Sequence, residues 1–351
     1  MNSTRWFTGS VRLAAAVAFA SIAGAALADP LVLKSQGSFI VGGQLKHTDA
    51  TGGHFKEDDI EINQMYVQFQ IPEGNAGHVP VVMVHGGGIS GKEWETTPDG
   101  RMGWGEYFVR KHHAVYIPDQ SSYARSGFDG TISNGVKSGA QPPSALPNIG
   151  MGGLRSTWAG ARFGPAYPTA FPDEQFPTGA IDELLKEEVP DLTATLPTPD
   201  PTLANMAAVA VRAGGAVLMG HSQSGFFPEQ AALTDPTGVK GVVTIEGECS
   251  ATPQQITALA KIPTLVIFGD HLADVPIMSA FAVAGLHLCE QFVQHLNAEG
   301  GDATLIHLPD IGIHGNSHVM MMDKNNLQVA DLILTWIDQH VDRKRGRKRE
   351  T

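Results

Sequence analysis

The chain has 351 residues, 24 Lys and Arg against 36 Asp and Glu, and a formal net charge of -12. Hydrophobic residues make up 42% and charged residues 17%, which excludes an intrinsically disordered chain, since that needs low hydrophobicity and dense charge. The length suits one large domain with insertions or two ordinary ones, with a core large enough to fold without a metal or a disulfide.

The two ends differ from the body. Residues 1–28 carry Arg5 and Arg12 and no acid, residues 13–26 form an apolar run, and Ala26-Leu27-Ala28 makes a small-residue cleavage signal before Asp29. The run is short for a membrane anchor, and no later stretch is long and apolar enough to span a bilayer. The expectation is a signal peptide over 1–28 and a secreted or periplasmic protein without a membrane span. Residues 342–351 hold six basic side chains, Arg343, Lys344, Arg345, Arg347, Lys348 and Arg349, and read as a solvated tail. Without both ends, 16 basic residues face 34 acidic ones. Such an acidic body repels phosphate backbones, so no nucleic acid is expected as partner. The two cysteines, Cys249 and Cys289, are expected to pair in an oxidising compartment.

In chain order, apolar runs predict strands over 31–41, 62–71, 80–85, 113–118, 216–220, 242–245, 264–268 and 304–308. The central ones are continuously apolar instead of alternating, as in a parallel sheet covered on both faces. Helical patterns fall at 104–111, 203–212, 226–233, 254–260, 278–298 and 326–340. Strand alternating with helix predicts an α/β fold with a mainly parallel sheet of about eight strands, preceded by an antiparallel pair. Residues 126–202 break the rhythm: they are rich in Pro, Gly and Ser, with one clear helix at 181–188. Trp158, Phe163, Tyr167, Phe171 and Phe176 make this stretch a packed cap insertion in preference to a loose loop. The main domain is expected over 29–341.

Gly220-His221-Ser222-Gln223-Ser224-Gly225 follows a predicted strand and opens a helical pattern. A serine on such a tight turn exposes its hydroxyl at a helix N-terminus and needs small residues two places either side, here Gly220 and Ser224. Earlier, His85-Gly86-Gly87-Gly88 ends a strand. Acyl transfer needs two N–H donors aimed at an oxyanion, and Gly87 and Gln223 are the candidates. The Gly-rich loop lacks the Lys-Ser/Thr of a phosphate cradle. The base should follow the serine in chain order. His307 lies inside the last strand. His314 lies on the loop after it and is the expected base, with His318 as an alternative or a supporting histidine. For the acid, Asp270 and Asp274 after one strand compete with Glu246 and Glu248 after the preceding one, and position alone does not choose. No HExxH or CxxC occurs among the 14 histidines and two cysteines, so neither metal nor cofactor is expected. Met320–Met322 reads as helix core; Trp94 and Trp104 read equally as pocket wall or plain packing.

The stretch from Trp94 to Trp104 (W-E-T-T-P-D-G-R-M-G-W), with Tyr107-Phe108, Gly220–Gly225, Glu246, Gly269-Asp270-His271, His314–Met322 and Asn325–Asp331, resembles an atypical group of secreted bacterial α/β-hydrolase esterases. The resemblance covers nearly the whole mature chain. It implies Ser222 as nucleophile, His314 as base, a glutamate after the sixth strand, Glu246, as acid, oxyanion donors at Gly87 and Gln223, small-molecule ester substrates and a homodimer. The sequence departs from the group at Gly87-Gly88, where a relative has adjacent cysteines. The expected activity is therefore serine carboxylesterase chemistry through an acyl-enzyme. Acyl transfer or amide cleavage by the same triad, and a non-catalytic binding module on the same scaffold, are the rivals.

Overall fold

Eight strands run in the order β1-β2-β4-β3-β5-β6-β7-β8 in the computed structural model, which describes residues 29–342 apart from 56, 75 and 76. The expected signal segment and the basic tail beyond Asp342 lie outside the described residues. Of the short unit that ends at Leu31, only residues 29–31 are described, and they hold no helix or strand. The fold below is that of the unit from Val32 onward.

Strands β1 (Leu33–Thr48) and β2 (Asp58–Pro72) form an antiparallel hairpin, and β2 pairs antiparallel with β4 (Val115–Asp119). From there the sheet is parallel: β4 with β3 (Val81–Val84), β3 with β5 (Ala216–His221), then β6 (Val239–Ile245), β7 (Thr264–Phe268) and β8 (Ala303–His307). Strands β3, β4, β5 and β7 are buried along their whole length, which is why their sequences show no alternation. In the hairpin β1 is mostly exposed, and β2 alternates buried Met65 and Val67 with half-buried Gln64, Tyr66 and Gln68.

Nine α-helices lie among the described residues: α1 (Trp104–Arg110), α2 (Thr131–Ser138), α3 (Leu154–Gly160), α4 (Ile181–Glu187), α5 (Pro201–Arg212), α6 (Phe227–Thr234), α7 (Pro253–Leu259), α8 (Ser279–Ala298) and α9 (Asn326–Ile337). Their starts carry local instructions. Asp200 accepts from Thr202 N–H with Pro201 in the first turn of α5, and Thr252 and Gln255 cap α7 reciprocally around Pro253. A core of Val82, Val84, Leu218, Val242, Val266 and Phe292, among others, packs between sheet and helices. Trp94 and Trp104 are fully buried against each other, with ring centroids 5.7 Å apart, and are plain packing instead of a wall of the cavity over Ser222. Met320, Met321 and Met322 are buried as expected, but on the turn before α9 and not in a helix.

The register decides where chemistry can occur. Val84 pairs with Gly220, His221 with Ile245, and Ile245 with Ile267. Gly86, Ser222, Glu246 and Gly269 therefore leave the sheet side by side at the carboxyl ends of parallel strands, where open α/β sheets place their crevice. Residues 126–202 hold α2, α3, α4 and several short turns. They meet the crevice through Val189 N–H to the Gly88 carbonyl (2.8 Å) and through the Ala161 carbonyl, which accepts His318 N–H (2.9 Å).

Candidate active site

Ser222 sits on the turn between β5 and α6 with φ at 56°, a left-handed conformation strained for a residue with a Cβ. Its neighbours make the turn possible. A Cβ on Gly220 would lie 2.0 Å from the Ser224 carbonyl oxygen, and one on Gly225 would lie 2.3 Å from the Gly247 Cα. Ser224 takes the position where a glycine is usual and turns its hydroxyl inward. Ser224 Oγ donates to the Val84 carbonyl (3.0 Å) and accepts from His221 N–H (3.0 Å), tying the turn to β3.

His318 Nε2 lies 2.7 Å from Ser222 Oγ, and His318 Nδ1 lies 3.0 Å from Glu246 Oε2. The expectation for His314 is corrected by this geometry. The His314 side chain is 58% exposed and faces Asp270 at 3.4 Å, away from the serine. The cause is the path of the loop after β8. Gly315 turns at φ 74° where any Cβ would lie 1.9 Å from the Asp173 carbonyl oxygen. Beyond it, the buried Asp323 accepts from Ser317 N–H (2.8 Å), Ser317 Oγ (2.6 Å) and Asn316 Nδ2 (2.9 Å). These anchors present residue 318 to the elbow. His307 stays on β8, facing Asp310 at 3.3 Å.

Glu246 is held from three further sides. Gly269 N–H donates to Oε1 (2.6 Å), Arg162 Nη1 donates to Oε2 (2.8 Å), and Arg162 Nη2 donates to Oε1. Burial alone would raise the carboxyl pKa, but the Arg162 charge and the His318 bond outweigh it and bring it down to about 2. Burial depresses His318 below its ordinary 6.5 in spite of Glu246, so the imidazole is neutral near pH 7. Glu248 lines the same cavity without joining this set, and Asp270 and Asp274 bind His314 and His271 instead.

Arg162 was not legible as a site residue. It lies in the insertion with φ at 58°, is 3% exposed, and also donates through Nε to the Asp270 carbonyl (3.0 Å). The available signal was its setting: an arginine in the small and aromatic run Trp158-Ala159-Gly160-Ala161-Arg162-Phe163 has few ways to stay solvated and implies a buried partner.

Gly87 and Gln223 both line the cavity beside Ser222. A Cβ on Gly87 would lie 3.2 Å from the Gln223 side chain, and one on Gly86 would lie 3.2 Å from the Ser222 Cβ, so small residues here let the loop approach the serine. The Gln223 side chain is fixed, accepting from Tyr123 Oη (3.0 Å) and donating to Asp191 Oδ2 (2.9 Å). Beneath the loop lies a second buried pair. Glu93 accepts from Gly86 N–H (2.9 Å) and forms an ion pair with His221 Nδ1, while His221 Nε2 donates to the His318 carbonyl (2.8 Å). Burial opposes charge on His221, yet Glu93 outweighs it and holds the imidazole above its usual range.

The cavity over Ser222 has a volume of about 880 Å³. Its apolar wall includes Phe226, Phe268, Met278, Phe281, Leu288 and Val319, and the insertion adds Met151, Ala161 and Leu184. Trp158 and Phe163 are buried behind this wall, Phe163 stacking on Phe176 at 4.1 Å, and Tyr167 packs edge-on to Trp158 at the surface. Cys249, also on the wall, is bonded to Cys289 of α8, 40 residues away.

No family model matches the chain. A solved structure described as the atomic-resolution structure of a novel bacterial esterase superposes with a TM-score of 0.85 and 45% identity, covering 90% of this chain and 98% of that one. The probable secreted lipase phiG of a fungal species (strain ATCC 74256) is 27% identical over 325 residues, 78% of this chain and 86% of its own. The chain belongs to the esterases of the α/β-hydrolase superfamily. It is a carboxylic-ester hydrolase. No helix among the described residues is long and apolar enough to cross a membrane.

Proposed function

We propose that this hydrolase is a secreted serine esterase working through Ser222, His318 and Glu246 and an acyl-enzyme. The observation that carries the reading is His318 Nε2 at 2.7 Å from Ser222 Oγ. His318 takes the serine proton as Oγ attacks the ester carbonyl, then gives it to the leaving alcohol. Glu246 accepts from Nδ1–H, fixes the tautomer that leaves Nε2 basic, and stabilises the imidazolium. Gly87 and Gln223 N–H groups receive the tetrahedral oxyanion. Water deprotonated by His318 then hydrolyses the acyl-enzyme. The mainly apolar cavity supports an ester with a sizeable apolar acyl or alcohol portion, and residues 126–202 serve as the lid over it.

The test is Ser222→Ala, with labelling by an active-serine phosphonate. Hydrolysis should fall by a factor on the order of 10⁶, and labelling should vanish in a protein of unchanged melting temperature. A variant retaining a tenth of wild-type turnover would sink the reading.

A further inference from the structure

At the opposite end of the sheet from Ser222, four metal-binding side chains converge. His78 precedes β3, His113 precedes β4, and Asp338 and Asp342 lie on the turn that continues α9. One ligand atom of each lies within 4.8 Å of every other. We propose that this cluster is a divalent transition-metal site, with Zn²⁺ as the fitting ion, that clamps the C-terminal helix to the amino ends of β3 and β4.

The donor set is two imidazoles and two carboxylates, which suits zinc; softer sulfur ligands or an all-oxygen shell would select other ions. The imidazoles are prepared for the role. His113 is buried, and its Nδ1–H donates to the Val79 carbonyl at 2.8 Å. That bond fixes the tautomer and leaves the Nε2 lone pair for a metal, the second-layer arrangement that metal-bound histidines generally show. One Asp342 oxygen accepts Val79 N–H at 3.0 Å and its other faces His78 Nδ1 at 3.2 Å, while Asp338 faces the same nitrogen at 3.8 Å.

The backbone helps. The last turn, Asp338–Asp342, is a π-helix, a form found mostly as single turns and often at functional sites. It stacks Asp338 and Asp342 on one face. Donors around tetrahedral zinc stand roughly 3.4 Å apart, given metal–ligand distances near 2.1 Å. The exposed Asp338 and half-buried Asp342 close the remaining gap by small side-chain rotations.

The experiment uses the mature chain without a histidine tag, stripped with chelator and titrated with ZnCl₂ in a calorimeter. One Zn²⁺ should bind per chain and raise the melting temperature. Co²⁺ should give the visible bands of a four-coordinate nitrogen and oxygen site. His78→Ala and Asp338→Asn should each weaken Zn²⁺ binding more than a hundredfold, since even outer-layer changes cost about 10–100-fold. Ester hydrolysis should be unchanged in both variants. His271→Ala should leave binding intact. No binding by the wild-type chain, or equal binding by His78→Ala, would overturn the proposal and leave the cluster as histidine–aspartate ion pairs. Binding lost in His271→Ala instead would overturn it too, moving the ion to Asp173, Asp270 and His271, whose ligand atoms also converge.

Discussion

Arg162 grips both carboxylate oxygens of Glu246 from an insertion 84 residues earlier in the chain, and the two side chains are each 3% exposed. A carboxylate placed after β6 is thereby kept ionised where burial alone would neutralise it. The same guanidinium bonds the Asp270 carbonyl, so insertion, acid loop and β7 loop form one rigid support.

Arg162→Met should therefore do two things. It leaves a buried carboxylate short of its main counter-charge, a change that typically costs about 3–5 kcal/mol and should show as a lower melting temperature at neutral pH. The lowered Glu246 pKa contributes stability that is fully present above its ordinary 4.5 and is lost as pH falls toward about 2, so wild type and variant should converge only in strong acid. His318, depressed chiefly by burial with Arg162 adding to it, should titrate higher in the variant. The acid limb of kcat/KM should then move to higher pH. A limb that stays in place would mean the guanidinium acts on packing alone.

His318 and His314 separate by activity. His318→Ala should lower kcat by several orders of magnitude and stop phosphonate labelling, whereas His314→Ala should leave both near wild type. Since protonation of the base abolishes activity, the wild-type acid limb should fall below pH 6.5, the ordinary histidine value. Glu246→Gln should cost up to about 10⁴ in kcat, as removal of an orienting carboxylate does elsewhere, and Asp270→Asn far less. Loss of turnover in His314→Ala with retention in His318→Ala would reverse the assignment.

Much of this was legible in the residues, and the failures have causes. The central strands read clearly because burial on both faces leaves uninterrupted runs such as Val81–Val84 and Thr264–Phe268. Helices α2 and α3 did not read, since segments such as Thr-Ile-Ser-Asn-Gly-Val-Lys-Ser are short, polar and take their order from tertiary contacts. Ser222 was readable because a strained elbow demands small neighbours close in sequence. The sequence pointed to His314, whereas His318 meets Ser222, because the choice between them depends on Gly315 packing on Asp173 and on Asp323 gathering Asn316 and Ser317. The first is a long-range contact, and the second depends on how the loop folds on itself between residues 316 and 323. Arg162, likewise, declares its role only once the insertion folds back over β6.

Glu93 should prove a positioning residue. It joins the oxyanion loop through Gly86 to the serine elbow through His221, and His221 in turn holds the loop of His318. Glu93→Gln keeps the shape and removes the charge. It should lower kcat by up to about a hundredfold, the effect of small misplacements at a reacting centre, with little change in KM. The raised His221 pKa stabilises the fold below its ordinary 6.5, and that stability is lost as pH rises through the raised value. The stability gap between wild type and Glu93→Gln should accordingly narrow in alkali. A gap independent of pH would show the pair to be uncharged.

The lid should select substrates through the residues that face the cavity, and not through its aromatic interior. Leu184 of α4 and Met151 line the space over Ser222, opposite Phe281 and Leu288 of α8. Trp158 and Phe163 instead form the lid's own core, through the Trp158–Phe163 and Phe163–Phe176 contacts. Phe163→Ala should consequently destabilise by about 3–5 kcal/mol and lower the melting temperature, leaving the ratio of kcat/KM between short and long acyl esters untouched. Leu184→Phe adds bulk to the cavity wall and should do the opposite. It should penalise long acyl groups relative to short ones by roughly tenfold or more, because a methylene or two of misfit is worth about 1–3 kcal/mol, with phosphonate labelling of Ser222 retained. The measurement is a graded acyl series on both variants beside their melting curves. If Leu184→Phe slowed every ester by the same factor, the apolar wall near α4 would not hold the acyl chain, and selection would have to lie on the α8 side of the cavity.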